Sequence, residues 1–186
     1  KSKFLTFNIN SKKSIFLVSI SKDIKSFESE KLGAKFFDEL KKSKIKNYVI
    51  NSETLNSKLK YFIGYFLHGL KLKSYAFHKY KTKKNKNNIS IYISGNNKPS
   101  LKDQIKFHAI EEGTFYTRDL VSEPGNILHP DEYARRLNSL KKDGLKINIY
   151  DEKKLKKLGM NTLLGVGQGS VRGSYLVTIE WNGLRD

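Results

Sequence analysis

The sequence predicts an α/β fold in two parts. Three observations carry this reading. Short β-branched apolar runs alternate with stretches of helical periodicity. The charge pattern changes abruptly near residue 100. The chain has 186 residues, 38% of them hydrophobic, which is enough for a core in one large domain or in one domain and part of another.

The elements follow in order. Residues 14–20 (SIFLVSI) read as a buried strand. Residues 26–44 space Phe27, Leu32, Phe36, Phe37 and Leu40 as a helix does. Residues 47–50 (NYVI) form a second strand. Leu55, Leu59, Phe62, Ile63, Phe66, Leu67 and Leu70 recur at threes and fours, predicting a helix capped by Ser52 or Thr54 and packed on a sheet. Residues 89–93 alternate isoleucine with Ser90 and Tyr92 as a third strand, and residues 94–99 (SGNNKP) are a turn or linker. A long helix over 104–121 has Ile105, Ala109, Gly113, Tyr116 and Leu120 along one side and stops before Pro124. Pro130 opens another helix, with Asp131 and Glu132 in its first turn, Tyr133, Leu137 and Leu140 as its buried stripe and Gly144 beyond its end. Residues 145–149 are a strand, Asp151 caps a short helix ended by Gly159, and residues 163–166 and 175–181 are read as two more strands.

Composition excludes several functions. The absence of cysteine removes disulfides, thiolate metal sites and cysteine nucleophiles, and is compatible with a reducing, cytoplasmic setting. No apolar run approaches the ~18 residues that span a bilayer, so no membrane partner is expected. The net charge is +18. Residues 1–100 hold 22 lysines, 6 acids and no arginine, a net +16; all five arginines lie in the remainder. Such a basic region attracts polyanions, but an arginine-free one lacks the usual bidentate recognition residue, so a solvated lysine-rich surface is the simpler reading. Lys1 is the first residue and Met160 the only methionine, so the sequence reads as a piece of a longer protein.

Candidate constellations are few. His68, His78, His108 and His129 show no paired metal-ligand spacing. His108 and Glu111 stand three apart on a helix, but an ordinary helix-surface pair is a much simpler reading than a ligand pair. Gly165, Gly167 and Gly169 invite a phosphate-cradle reading. Ser170 occupies the place of the last glycine of the dinucleotide fingerprint, however, and a tight turn at a strand end accounts for the glycines. Ser170 lacks the surroundings of a serine nucleophile. Asp119 and Glu123 could form a carboxylate pair, but Arg118 beside them suggests a helix-end salt bridge. Tyr75, Phe77 and Tyr80 are interleaved with Lys79, Lys81, Lys83 and Lys84, a pattern that single-stranded nucleic acid could exploit and that buried rings with solvated lysines also explain.

Three segments together resemble the leucyl aminopeptidase (cytosol aminopeptidase) family: LKSYAFHKYKTKK (72–84), EEGTFYTRDLVSEPGNILHPDEYA (111–134) and DEKKLKKLGMNTLLGVGQGS (151–170) followed by Trp181-Asn182-Gly183. Ser122 stands where the family has Asn, and His129 where it often has Thr. The resemblance runs in order from about residue 74 to 183 and implies an N-terminal, macro-like domain of three layers around a mixed sheet (residues 1–99). A connecting helix (100–123) and the first elements of an α/β catalytic domain (124–186) would follow. It implies an enzyme of homo-hexameric subunits that frees N-terminal residues from peptides with two divalent ions, Mn or Zn. Nucleic acid binding through the basic region, or a purely oligomer-building role, is the rival expectation. The family's metal segments, Gly-Lys-Gly…Phe-Asp-Thr-Gly-Gly and Asn-Thr-Asp-Ala-Glu-Gly-Arg, do not occur in these 186 residues. No catalytic, substrate-binding or metal residue is therefore assigned within the chain, and the chain alone is expected to be inactive.

Overall fold

The computed structural model describes residues 3–82 and 89–183. By its own contacts the chain divides into two compact units, Lys1–Asp119 and Leu120–Asp186. The α/β class holds: helices alternate with small sheets that pair in both senses.

The first unit opens with an antiparallel hairpin, β1 (Phe4–Asn10) and β2 (Lys13–Val18), in which Leu5 faces Leu17 and Phe7 faces Ile15. β2 matches the expected strand; β1 was not expected, although its apolar residues alternate with Thr6, Asn8 and Asn10 as those of a strand do. Helix α1 (Ser26–Lys42) starts where the Glu28 carboxylate accepts the Lys25 backbone N–H at 2.9 Å, and Lys41 and Lys42 sit favourably at its negative end. It buries Leu32, Phe36, Phe37 and Leu40, whereas Phe27 is exposed.

β3 (Asn47–Asn51) and β4 (Ser90–Ser94) pair in parallel, and helix α2 (Phe62–Lys73) crosses between them, as parallel strands require. The helix begins later than its periodicity suggests. Leu55 follows a 3-10 turn (Ser52–Thr54) and Leu59 ends another (Ser57–Leu59), capped by the side chains of Asn51 and Asn56. Ser52 is fully buried but caps no α-helix; its hydroxyl and carbonyl both accept hydrogen bonds from Asn97.

The core forms where α1 and α2 pack together. A Cβ on Gly33 would stand 1.8 Å from the Phe66 carbonyl oxygen, and one on Gly69 would stand 1.9 Å from that of Glu30. Each helix thus has a glycine where the other's backbone passes. Phe36 contacts Phe4, Phe16 and Phe66, so the inward side of the hairpin and both helices share one aromatic cluster. The expectation that α2 would pack on a sheet is met only in part; its closest neighbour is α1.

Helix α3 (Leu101–Ser122) is longer than expected and turned the other way. Ile105, Ala109 and Gly113 are exposed, so the apolar line read from the sequence faces out over the first part of the helix, whereas Tyr116 is half-buried and Leu120 buried at its other end, as expected. The inward side carries Phe107, Glu111, Phe115 and Arg118. It meets ring and polar partners on α2 and just after it, which a count of apolar residues could not register.

In the second unit, α4 (Pro130–Asn138) has Pro130 in its first turn, and the chain reaches Gly144 at φ 84° after a 3-10 turn (Ser139–Asp143). Ala134 is its buried residue, while Tyr133 is exposed, a departure from the expected stripe. β5 (Lys146–Tyr150) pairs antiparallel with β6 (Leu176–Glu180). Between them, α5 (Glu152–Lys157) is capped by the Asp151 side chain and followed by Gly159 at φ 69°. Residues 163–166 are not a strand: they lie in helix α6 (Asn161–Gly167). Leu, Val and Gly in so short a run do not separate the two states, and the helix opens directly after the Gly159 turn.

Candidate functional site

The first unit has a cavity of about 490 Å³ lined by Phe27, Glu30, Tyr75 and Arg118 among others, and one of about 380 Å³ between α2, β4 and α3, lined by Leu67, His68, Ile91, Phe107, His108 and Glu111 among others. His68 lies on α2 within an apolar helix and is buried. Its Nδ1 is 2.8 Å from Glu111 Oε1, and its ring stacks on Phe107 at 4.8 Å. The expected pairing of His108 with Glu111 is therefore wrong. Glu111 turns inward to His68, while His108 reaches Glu112 at 3.4 Å on the exposed side.

The acid–base groups of the smaller cavity include His68, His108 and Glu111. No hydroxyl nucleophile lines it. Among the described residues no group of three His, Asp or Glu side chains could hold a metal ion. His68–Glu111 and His129–Asp131 offer two donors each, already committed to one another. The two divalent ions implied by the resemblance do not fit the described side chains.

Ligands of α/β sheets usually lie beyond the carboxyl ends of the strands. At the ends of β3 and β4 that position is closed by protein. Asn96 N–H donates to Glu53 at 2.6 Å and Asn97 N–H to the Ser52 hydroxyl at 3.2 Å, while Gly95 turns at φ 95°.

The other candidates separate. Tyr75 donates to Asp119 at 2.8 Å, and Arg118 donates to the Leu72 carbonyl at 2.6 Å while lying over the Tyr75 ring. Arg118 is thus not the ion-pair partner of Glu123, whose buried carboxylate is held by Arg136 at 2.9 Å. Tyr75 packs on Phe115 and Phe77 on Tyr80, both as ring pairs; Tyr80 is exposed with Lys79 over its ring at 5.6 Å. Lys83 and Lys84 lie outside the described residues. Gly165 and Gly167 are helical, and none of Gly165, Gly167 and Gly169 has positive φ, so the strand-end turn expected there is replaced by a helix and its end. Ser170 N–H donates to the Gly167 carbonyl and its hydroxyl accepts from Arg172 N–H, a local turn without an acid–base partner.

The strongest electrostatic cluster is on α4. Arg135 and Arg136 both donate to Glu132 and hold its carboxyl down to about 2. Hydrogen bonds from Arg136 to Glu132 and Glu123 raise the guanidinium's own pKa. Burial pushes the Asp131 carboxyl up, but hydrogen bonds from His129 and its own backbone, with Arg172 nearby, leave it below the usual carboxylate range. The sequence showed these residues as helix-end charges; that Arg136 bridges two carboxylates 13 and 4 residues away needed the fold.

Known proteins show what this second unit is similar to. Residues 115–186 match the cytosol aminopeptidase family, catalytic domain. The chain is 41% identical over 122 residues to a probable cytosol aminopeptidase of Chelativorans sp., covering 62% of this chain and 24% of the relative. It is 42% identical over 125 residues to one of Phytoplasma mali, covering 63% and 25%. This segment is thus similar to part of the cytosol aminopeptidase family. The chain spans about a quarter of the length of the curated relatives it matches. Two solved structures share the fold. A mutant of tomato leucine aminopeptidase superposes with a TM-score of 0.76 at 22% identity, covering 95% of this chain and 37% of that one. The bottromycin maturation enzyme BotP in complex with Mn gives 0.76 at 17%, covering 96% and 39%. These likenesses extend over nearly the whole chain, so the first unit shares the fold of those two structures as well.

Proposed function

We propose that the polypeptide containing residues 1–186 is a metal-dependent aminopeptidase of the cytosol aminopeptidase type, releasing N-terminal residues such as leucine from peptides. In this reading residues 1–99 are an N-terminal domain, 100–123 a connecting helix and 124–186 the start of the catalytic domain. The family match over residues 115–186 carries the reading. The side chains of residues 120–186 support a scaffold role within that domain. Leu155 and Ile147 are buried, while Leu158, Val166, Val171 and Trp181 remain exposed, apolar surface that a larger domain would cover. The metal ions, Mn or Zn, would be held by residues other than those described. They would polarise the scissile carbonyl and activate water.

Hydrolysis of leucine amide tests this. The complete gene product should release leucine in the presence of Mn²⁺ or Zn²⁺ and lose activity on chelation, and residues 1–186 alone should release none. Failure of the complete product with both metals across a range of amino-acid amides would reject the proposal. A homo-hexamer goes with this reading, and light scattering on the complete product, with and without residues 1–100, measures the contribution of the first unit to assembly.

One observation favours a second role. Tyr80 is exposed beneath Lys79 in a region of strong positive charge. Binding of single-stranded DNA at about 50 mM salt that falls steeply as salt rises would support it; absence of binding there would reject it.

A further inference from the structure

An antiparallel hairpin at a protein surface ordinarily turns its apolar residues inward and its polar residues to water. The β1–β2 hairpin does not. Phe4, Phe16 and Val18 pack against the core of the first unit. The opposite face presents Leu5, Phe7, Ile9, Ile15 and Leu17, each between 47 and 61% exposed. Register joins them into one strip, since Leu5 stands opposite Leu17 and Phe7 opposite Ile15. A strip of five large apolar side chains on one face is a surface built to be covered.

Charge identifies what covers it. Residues 1–22 contain five lysines and no acid. Lys3, Lys12 and Lys13 are exposed at the ends of the strip. A second copy would set two such lysine borders against each other. The strip carries no Trp or Tyr, the residues that anchor surfaces at a bilayer interface. A sheet that is apolar on both faces is the kind that helices cover on both sides, and here α1 and α2 cover only the inner one.

We propose that the outer face of the β1–β2 hairpin is a docking surface for an amphipathic helix of another protein, whose apolar stripe is flanked by Asp or Glu. The helix lays its stripe along Leu5, Phe7, Ile9, Ile15 and Leu17, and its carboxylates meet Lys3, Lys12 and Lys13. This surface is independent of the aminopeptidase reading and stands or falls without it.

The probes are two synthetic peptides of roughly 18 residues, long enough to be helical, with the same leucine stripe flanked by Glu in one and Lys in the other. Fluorescence anisotropy should show the chain binding the Glu-flanked peptide in preference to the Lys-flanked one. A Leu5→Thr, Phe7→Thr, Ile15→Thr variant keeps strand-forming residues and should weaken binding at least about tenfold. A Lys3→Glu, Lys12→Glu, Lys13→Glu variant should reverse the preference, a gain that misfolding cannot imitate. Equal binding of both peptides, no binding of either, or wild-type binding by the threonine variant would overturn the proposal. So would sedimentation of the chain with phosphatidylserine vesicles, or its dimerisation through this face, with no peptide binding.

Discussion

Gly33 and Gly69 are the residues least open to change in the first unit. Each would drive a Cβ into the other helix's backbone, which cannot step aside as a flexible side chain could. Gly33→Ala or Gly69→Ala is expected to lower stability by about 3 kcal/mol in chemical denaturation. Gly113 lies inside α3 with nothing within 4 Å of a Cβ, so Gly113→Ala should instead raise stability by about 0.5–1 kcal/mol through helix propensity alone. In the second unit Glu132 gives a pH dependence of known sign. Its folded carboxyl titrates near 2 against an ordinary 4.5, so its contribution is present above about 4.5 and is lost as pH falls toward 2. Thermal melts from pH 5 to 2 should show this loss, and Glu132→Gln should flatten that part of the curve. Arg136 also holds the buried Glu123, so Arg136→Ala should lower the melting temperature more than Arg135→Ala, whose side chain reaches only Glu132.

At the scale of elements, helix α3 shows what a sequence conveys and what it withholds. Its existence and its end before Pro124 follow from propensity and proline chemistry. Its rotation does not: the rings of Phe107 and Phe115 pack on His68 and Tyr75, while Glu111, Arg118 and Asp119 bond to His68, the Leu72 carbonyl and Tyr75. Polar residues 43 to 46 positions apart leave no periodic trace. β1 was legible and went unread, since its apolar and polar residues alternate as those of a strand do; α6 was not, because a four-residue apolar run suits either state. Of the candidate site, His68 showed in the sequence only as a histidine inside an apolar helix, and its partner 43 residues on did not show at all. His68→Ala should test the α2–α3 join. Leaving Glu111 without its partner is expected to cost about 1–3 kcal/mol and to speed amide exchange in α3.

For the whole molecule, the two units differ in how much they bury. Lys1–Asp119 owns an aromatic core that joins a hairpin, a parallel strand pair and two helices. Leu120–Asp186 buries Leu120, Ala134, Ile147 and Leu155, a small set for its length. A polypeptide of residues 1–122 is therefore expected to unfold cooperatively by circular dichroism, and one of residues 120–186 to show a broad, shallow transition. Coincident sharp transitions for both would contradict this division of stability.

The bonds that orient α3 also make it a keyed shaft. Along α2 and the segment after it, His68, Leu72 and Tyr75 are matched in order to Glu111, Arg118 and Asp119. The intervals on the two sides are unequal, four and three against seven and one. A slip of α3 by one turn would misalign all three pairs together rather than trade one partner for the next. The helix can be held or released, but it has no intermediate notch in which to rest.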